Sequence, residues 1–98
     1  GITAGWDHSC AATASGDGYC WGGGAYGQLG VTFAGNSTQP DPIVGMLAFV
    51  RIAAGDYFTC GIATGGTAYC WGRNREGRLG TGGTADANRV QKVAGQSP

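Results

Sequence analysis

Residues 21–30 read WGGGAYGQLG, and residues 71–80 read WGRNREGRLG. Both segments keep the pattern W-G-x(4)-G-x-L-G, fifty residues apart. The first also contains G-x-G-x-x-G, a spacing that indicates a phosphate-binding turn where it joins a strand to a helix. In the second copy the middle glycine is Asn74, and helical periodicity follows neither copy. The shared glycines therefore indicate tight turns at fixed points, and a nucleotide site is not expected.

The repeat extends well beyond this loop. Residues 2–30 align with residues 52–80 without a gap, and both copies keep an early Ala-Gly pair and a Tyr-Cys-Trp-Gly run. After this segment the match loosens, with PDPIV at 40–44 roughly facing RVQKV at 89–93. Repeats of this length are typical of propeller blades and related arrays. The chain is predicted to consist of two units, 1–48 and 49–98.

The composition argues against several classes of function. Six basic and six acidic residues give a formal net charge of zero, and only 12% of the residues are charged. We therefore expect no nucleic-acid partner and no membrane-binding basic patch. No apolar run in the sequence is long enough to span a membrane. With 21 glycines in a chain that is 42% hydrophobic, many tight turns between short strands are favoured over disorder.

Each unit is predicted to hold four short strands. The predicted strands are 2–5, 8–13, 18–22 and a weaker one near 42–44 in the first unit, and 49–55, 58–63, 68–72 and a weaker one near 90–93 in the second. The segments ASGDG and TGGTA between the second and third strands are hairpin loops, in which Gly16 or Gly66 can adopt a positive φ. The predicted fold is all-β, with two four-stranded antiparallel propeller blades.

The four cysteines test the hairpin register. With a loop at residues 14–16, the register places Cys10 opposite Cys20, and the second copy places Cys60 opposite Cys70. Opposed residues of an antiparallel pair lie near the reach of a disulfide. Free thiols are the alternative. A zinc site is disfavoured because the paired cysteines stand ten apart in a chain with one histidine. Disulfides indicate an oxidising compartment.

The register also places small residues opposite large aromatic ones on one side of each hairpin. These residues are Ser9, Ala11, Tyr19 and Trp21 in the first copy, and Thr59, Gly61, Tyr69 and Trp71 in the second. A sheet with a Tyr/Trp side needs another sheet to cover it. Tyr19, Trp21, Tyr69 and Trp71 are therefore predicted to pack between blades, and stacking on a ligand is the alternative.

Residues 2–30 (ITAGWDHSCAATASGDGYCWGGGAYGQLG) and 51–80 (RIAAGDYFTCGIATGGTAYCWGRNREGRLG) resemble repeats of the regulator of chromosome condensation family. Repeats of that family share an Ala-Gly pair, a strand that contains His, and W-G-x-N-x-x-G-Q-L-G. The resemblance implies a β-propeller, which full members close from about seven blades. The doubled cysteines are similar to those of secreted bacterial members, so the resemblance also implies an extracellular or periplasmic scaffold for a partner.

Departures from the family limit what the resemblance implies. The founding member promotes nucleotide exchange on a small GTPase and binds chromatin through basic segments that this chain lacks, so that activity is not expected here. The histidine of the family occurs once, as His8, and Phe58 takes its place in the second copy, which indicates a structural role. Asp7, His8 and Ser9 are not expected to form a triad, because neighbours on a strand point to opposite faces. No enzyme, cofactor or metal site is predicted.

Loop aromatics are the predicted partner-binding residues. The turn after each Ala-Gly pair carries Trp6 and Asp7 in the first copy and Asp56, Tyr57 and Phe58 in the second. Aromatic residues beside an aspartate at a loop are typical of a protein-binding hot spot, although the same aromatics would also cover strand ends. Tyr26 and residues 75–76 lie in the neighbouring loop and are weaker candidates.

The function predicted first is a non-enzymatic, self-assembling propeller fragment whose partners are copies of itself. Blades contact only their neighbours, and about three repeats are usually needed for stability, so two blades alone would leave apolar faces open. Head-to-tail contacts close into a ring or continue as a filament, and the number of chains stays open. The alternative is a module of a larger secreted propeller that binds a protein or a glycan through its loops.

Overall fold

The computed structural model describes residues 2–31, 35–45, 48–74, 77, 79–83 and 86–94. The chain forms eight strands, β1 (Ile2–Ala4), β2 (His8–Ala12), β3 (Gly18–Gly22), β4 (Ser37–Pro42), β5 (Phe49–Ala54), β6 (Phe58–Ala63), β7 (Ala68–Gly72) and β8 (Ala87–Lys92). They build two four-stranded antiparallel sheets, in the orders β1-β2-β3-β4 and β5-β6-β7-β8. The predicted all-β architecture of two blades is confirmed. In the described ranges no helix is long and apolar enough to cross a membrane.

The central hairpin of each blade has the predicted register. Cys10 is opposite Cys20 in blade 1, and Cys60 is opposite Cys70 in blade 2. The sulfur atoms are 2.08 Å and 2.06 Å apart, so both predicted cysteine pairs lie at disulfide distance. The hairpin loops turn through Gly16 at φ 94° and Gly66 at φ 93°, a region that glycine enters without a steric penalty.

The fourth strands were predicted too late in the sequence, although β8 includes residues 90–92 of the predicted segment and β4 includes Pro42. We expected strands near 42–44 and 90–93, whereas β4 and β8 begin earlier and end at Pro42 and Lys92. The outermost strand pairs on one edge only and is mostly exposed, so it shows no alternation of apolar and polar residues to read. Edge strands also tolerate the prolines that argue against a strand elsewhere. Gly22 pairs with Ser37 and Gly72 with Ala87, so the fifty-residue offset persists where the sequence match loosens.

Each blade has two faces, set by the alternation of side chains along its strands. We call the side that carries Trp21 or Trp71 the aromatic face, and the side that carries the cysteines the disulfide face. The aromatic face of blade 2 packs on the disulfide face of blade 1, and we call this contact the internal joint. Residues at the joint are Thr3, His8, Cys10, Gly18 and Cys20 from blade 1, and Ile52, Thr59 and Trp71 from blade 2.

A small apolar core fills the internal joint. Its fully buried members are Cys10, Cys20, Leu29 and Val31, against which Ile43 and Ile52 pack. Ile52 belongs to β5 of blade 2, so this core is shared between the blades. Gly18 provides the space, because a Cβ there would lie 2.9 Å from the side chains of Ile43 and Phe49 and 3.1 Å from Ile52.

Candidate functional site

Two tyrosines and an arginine meet where the loops of the two blades converge. Tyr26 comes from the W-G loop of blade 1, and Tyr57 from the β5–β6 turn of blade 2. Their ring centroids are 5.2 Å apart and the rings cross at 64°. The Cζ atom of Arg73 lies 5.0 Å from the centroid of Tyr26 and 5.8 Å from that of Tyr57. We call Tyr26, Tyr57 and Arg73 the loop cluster.

Local backbone geometry holds Tyr57 in the loop cluster. Its φ is 61°, the one positive value among the described residues other than glycine, and such a backbone is costly for a bulky residue. The carbonyl of Tyr57 accepts a hydrogen bond of 2.9 Å from the backbone amide of Arg73. This bond ties the two residues together, so the strained turn and the loop after β7 place both side chains at one point.

Blade 1 positions Tyr26 through a buried glutamine. The side chain of Gln28 accepts a hydrogen bond of 2.9 Å from the backbone amide of Tyr26 and donates one of 3.2 Å to Asp7 Oδ1. Gln28 is fully buried, so it has little freedom to move. Asp7, predicted from the sequence as a partner contact, therefore also braces the loop that carries Tyr26.

The predicted loop residues differ in how far they are exposed. Trp6 is 71% exposed, Asp56 is exposed, and Tyr57 is half-buried in the loop cluster. Phe58 begins β6, and its ring lies over Gly55. Residues 75 and 76 lie outside the described residues. Sequence reasoning missed Arg73, because it aligns with Gly23 and no repeat signal marks it.

His8 lies in the internal joint, where its side chain contacts the neighbouring blade. Its Nε2 is 2.7 Å from Thr59 Oγ1, and Thr59 Oγ1 donates a hydrogen bond of 2.7 Å to the carbonyl of Gln28. Since the single hydroxyl proton of Thr59 is used there, Nε2 of His8 must be the donor. Ser9 lies on the opposite face, paired with Trp21, as the alternation of side chains along a strand predicts.

The charge state of His8 is set by its burial. Burial lowers the pKa of His8 below its ordinary value of 6.5, although the carboxylate of Asp7 and the backbone of Phe58 act in the opposite direction. Nδ1 of His8 is buried without a hydrogen-bond partner, and Asp7 Oδ1 lies 3.9 Å away. A second proton would therefore place a poorly compensated charge at the joint.

The glycine-rich loop of blade 1 uses its own amides. The amide of Gly23 donates to the carbonyl of Asp7 at 2.7 Å, that of Gly24 to Asn36 Oδ1 at 3.1 Å, and that of Gly27 to the carbonyl of Gly24 at 3.1 Å. A phosphate-binding loop instead points such groups at its ligand. The glycines therefore serve the turn, as predicted. Among the described residues, no three His, Cys, Asp or Glu side chains are grouped for a metal ion.

The two faces outside the internal joint are open in this chain. The aromatic face of blade 1 carries Ile2, which is 78% exposed, and Trp21, which is half-buried although Trp71 is fully buried. The disulfide face of blade 2 contains a pocket of about 150 Å³ with an apolar lining. The residues that line this pocket are Arg51, Ala53, Cys60, Gly61, Ile62 and Ala68.

Family models for one kind of repeat match the chain. Two models, each described as "Regulator of chromosome condensation (RCC1) repeat", match residues 1–28 and 49–78 in one case and residues 15–62 and 65–96 in the other. No curated protein matches the chain in sequence. The family matches cover more than half of the chain and both copies of the repeat.

Solved structures share the fold at low sequence identity. Yeast RCC1 (Prp20), in a structure with Kap60, has a TM-score of 0.90 and 23% identity over 97% of this chain and 24% of its own. Prp20p from Saccharomyces cerevisiae, described with its binding to Gsp1p and histones, has a TM-score of 0.89 and 24% identity; the match covers 97% of this chain and 25% of Prp20p. Human WBSCR16 has a TM-score of 0.85 and 22% identity; the match covers 95% of this chain and 24% of WBSCR16. The chain thus spans about a quarter of the length of these structures.

Proposed function

This chain belongs to the regulator of chromosome condensation (RCC1) repeat family, and on that premise we propose that its two blades are a non-enzymatic, self-assembling unit of a β-propeller. In this proposal copies of the chain pack head to tail, and the aromatic face of one copy covers the disulfide face of the next. The internal joint is the observation that carries the proposal, because it shows how a blade of this sequence covers its neighbour.

The difference in burial between equivalent residues supports the assembly. Trp71 and Cys10 are fully buried at the internal joint, whereas their counterparts Trp21 and Cys60 on the outer faces are only half-buried. An open sheet face with an exposed isoleucine and an aromatic side chain is typical of an interaction surface. Repeats also gain stability from each neighbour that they contact. If both outer faces were covered, the end blades would gain the burial and stability that the internal joint already provides.

Head-to-tail packing allows two kinds of assembly. The contact is heterologous, so it closes into a ring if the rotation between copies permits and otherwise continues as a filament. Three chains would supply about six blades and four about eight, both within the usual range of propellers. The ring is the form we propose, and a filament is the rival arrangement.

Light scattering during size-exclusion chromatography tests the assembly. At low micromolar concentration we expect a folded species whose mass is a whole multiple of the 9.9 kDa chain, with a closed ring giving one mass that does not grow with concentration. A mass that rises steadily with concentration would indicate a filament. A compact, stably folded species at 9.9 kDa would contradict self-assembly, and the open faces would then belong to contacts with blades of a longer polypeptide.

The loop cluster favours protein binding as a second candidate function. Repeats of this family fit a propeller that binds proteins, and the matched yeast structures are described with Kap60, Gsp1p and histones. Tyrosine and arginine are among the residues that are enriched in binding hot spots. The guanidinium of Arg73 lies against two tyrosine rings and would offer hydrogen bonds to a carboxylate on a partner protein. A glycan that stacks on the same rings is the alternative ligand.

A matched pair of variants tests the binding function. The wild-type chain would be used to isolate a partner from the native source, and the purified partner would then be titrated by calorimetry. Arg73→Ala should weaken its binding about tenfold or more, whereas Lys92→Ala, which removes an exposed cation from β8, should leave it unchanged. Equal effects of the two variants would argue against the loop cluster.

The disulfides support an oxidising location. Both cysteine pairs lie at disulfide distance and no cysteine is free, a state that persists outside the cytosol or in the bacterial periplasm. We therefore place the proposed assembly in an extracellular or periplasmic setting. Thiol labelling of the freshly isolated protein tests this, because four reactive thiols would contradict it.

A further inference from the structure

We propose that Ile2 of one copy inserts into the apolar pocket on the disulfide face of blade 2 in the next copy, with Trp21 packed on Gly80 beside it. This contact rests on the self-assembly proposed above and names the residues that would carry it. Its partner is a second copy of this chain. The internal joint supplies the template, and two of its apolar contacts, made by Ile52 and Trp71, have counterparts on the two outer faces.

Ile52 shows how an isoleucine fills this position at the internal joint. It lies in β5 opposite Gly61, and it packs against the buried cluster that contains Cys10 and Cys20. Its Cδ1 atom would be 3.1 Å from a Cβ at Gly18, so the two blades are in van der Waals contact there. An isoleucine from the aromatic face of one blade thus covers the core on the disulfide face of the blade before it.

Ile2 is the counterpart of Ile52 in blade 1. It lies in β1 opposite Ala11, as Ile52 lies opposite Gly61 in blade 2. The register therefore places Ile2 on the aromatic face of blade 1, where it is 78% exposed. The exposed Ile2 side chain therefore lacks the stabilisation that burial gives to its counterpart.

The pocket on blade 2 is the counterpart of the surface that Ile52 covers. Its lining includes Cys60 and Ala68, which take the places of Cys10 and Gly18 in the repeat. The methyl group of Ala68 occupies space that Gly18 leaves to Ile52 at the internal joint, so Ile2 would lie farther from this strand than Ile52 does. The pocket is apolar and has a volume of about 150 Å³, and an apolar cavity of about this size holds benzene. The four-carbon side chain of an isoleucine therefore fits.

Tryptophan provides a second matched contact. At the internal joint Trp71 packs on Gly30, so closely that a Cβ at Gly30 would lie 2.7 Å from the indole Nε1. Gly80 is the counterpart of Gly30, with φ 69° against 66°, and it is exposed. Trp21, the counterpart of Trp71, lies on the same face as Ile2. One copy therefore presents two apolar side chains to two matching sites of the next.

Complementation between two blocked variants tests the contact. Ile2→Asp blocks the aromatic face of its own copy, and Ala53→Asp blocks the pocket; both positions are exposed, so neither change buries a charge within one chain. Each variant alone should lose assembly, with the dissociation constant raised about 100-fold or more. A 1:1 mixture should form a dimer of twice 9.9 kDa and nothing larger, because one functional contact remains.

Controls separate this contact from self-assembly in general. Ile2→Val keeps an apolar side chain and should assemble like the wild type, and so should Thr64→Asp, which adds the same charge on an exposed hairpin loop. If the wild type assembles and both blocked variants still assemble, the contact is wrong and self-assembly stands. If the mixture fails to dimerise, the contact is also wrong. If the wild type is monomeric, self-assembly itself is overturned.

Discussion

Blades 1 and 2 share one strand order and one hairpin register, yet they contribute opposite faces to the joint between them. Blade 1 buries its disulfide face there, and blade 2 buries its aromatic face. As a result, Trp71 is fully buried and Trp21 is only half-buried, although both follow the same Tyr-Cys pair. In a repeat protein, the position of a blade in the array decides which of its identical residues stabilise it.

The internal joint also holds polar contacts that a joint between copies would lack. His8 bonds to Thr59 across the internal joint, whereas the counterpart residues are Phe58 and Ser9. The hydroxyl of Thr3 accepts a hydrogen bond of 3.2 Å from the amide of Ala54, and its counterpart Ala53 has no hydroxyl. Contacts between copies would therefore lack both of these hydrogen bonds.

Removal of the two equivalent tryptophans should give the largest difference between the blades. Trp71→Ala empties a fully buried site and should lower the free energy of unfolding by about 3–5 kcal/mol. Trp21→Ala should cost about half as much at the lowest protein concentrations, since part of the ring is already in water. Urea unfolding followed by circular dichroism measures both. Equal costs at every concentration would contradict an open aromatic face on blade 1.

Removal of each disulfide should reveal a smaller difference in stability between the two blades. The two loops have the same length, so removal of either cysteine pair should cost a similar entropic term of about 2–3 kcal/mol. Cys10→Ala with Cys20→Ala should cost about 1 kcal/mol more than Cys60→Ala with Cys70→Ala, because both sulfur atoms of the first pair are fully buried in the joint. Guanidinium unfolding of the two double variants measures the difference. The reverse order would show that blade 2, and not the joint, limits stability.

Two glycines have almost the same backbone conformation, so alanine substitutions at the two positions distinguish the cost of a steric clash from the cost of backbone strain. Gly30 and Gly80 have φ 66° and 69°, so Gly30→Ala and Gly80→Ala should share a strain cost of about 1 kcal/mol. Gly30→Ala should cost about 1–2 kcal/mol more, because its new Cβ would force the indole of Trp71 away. Thermal unfolding of both variants provides the measurement. If Gly80→Ala is the more costly change, Val93, whose Cγ1 would lie 3.3 Å from the new Cβ, opposes the methyl group more than Trp71 does.

The pH dependence of stability should be the smallest effect, and it belongs to blade 1. Burial lowers the pKa of His8 in the folded chain. The contribution of His8 to stability is therefore complete above its pKa in the unfolded chain, about 6.5, and is lost as the pH falls towards its pKa in the folded chain. The loss is at most about 1.4 kcal/mol per pH unit. His8→Phe, which copies Phe58 of blade 2, should remove this component. Urea unfolding between about pH 8 and pH 5 measures it. Identical pH profiles for the two proteins would rule out His8 as the titrating group.

The loop cluster shows where sequence reasoning stops. Tyr57 was a predicted partner-binding residue and Tyr26 a weaker one, because aromatic residues in loops are conspicuous in a sequence. Arg73 was missed, since its place in the cluster depends on the positive φ of Tyr57 and on a bond between the two backbones. Neither feature has a sequence signature. Trp6 and Asp56 carry the same loop signal and are exposed, so composition alone does not identify the members of a cluster.

The sequence by itself determined the fold class, the two units, the hairpin registers and the cysteine pairs. These features are local, because short loops and alternating side chains restrict each strand to one partner and one face. The tertiary structure alone decided which face of each blade is covered, where β4 and β8 begin, and how His8 meets Thr59. The physical reason is that these contacts join residues of different blades or edge strands without alternation, so they depend on how whole sheets pack.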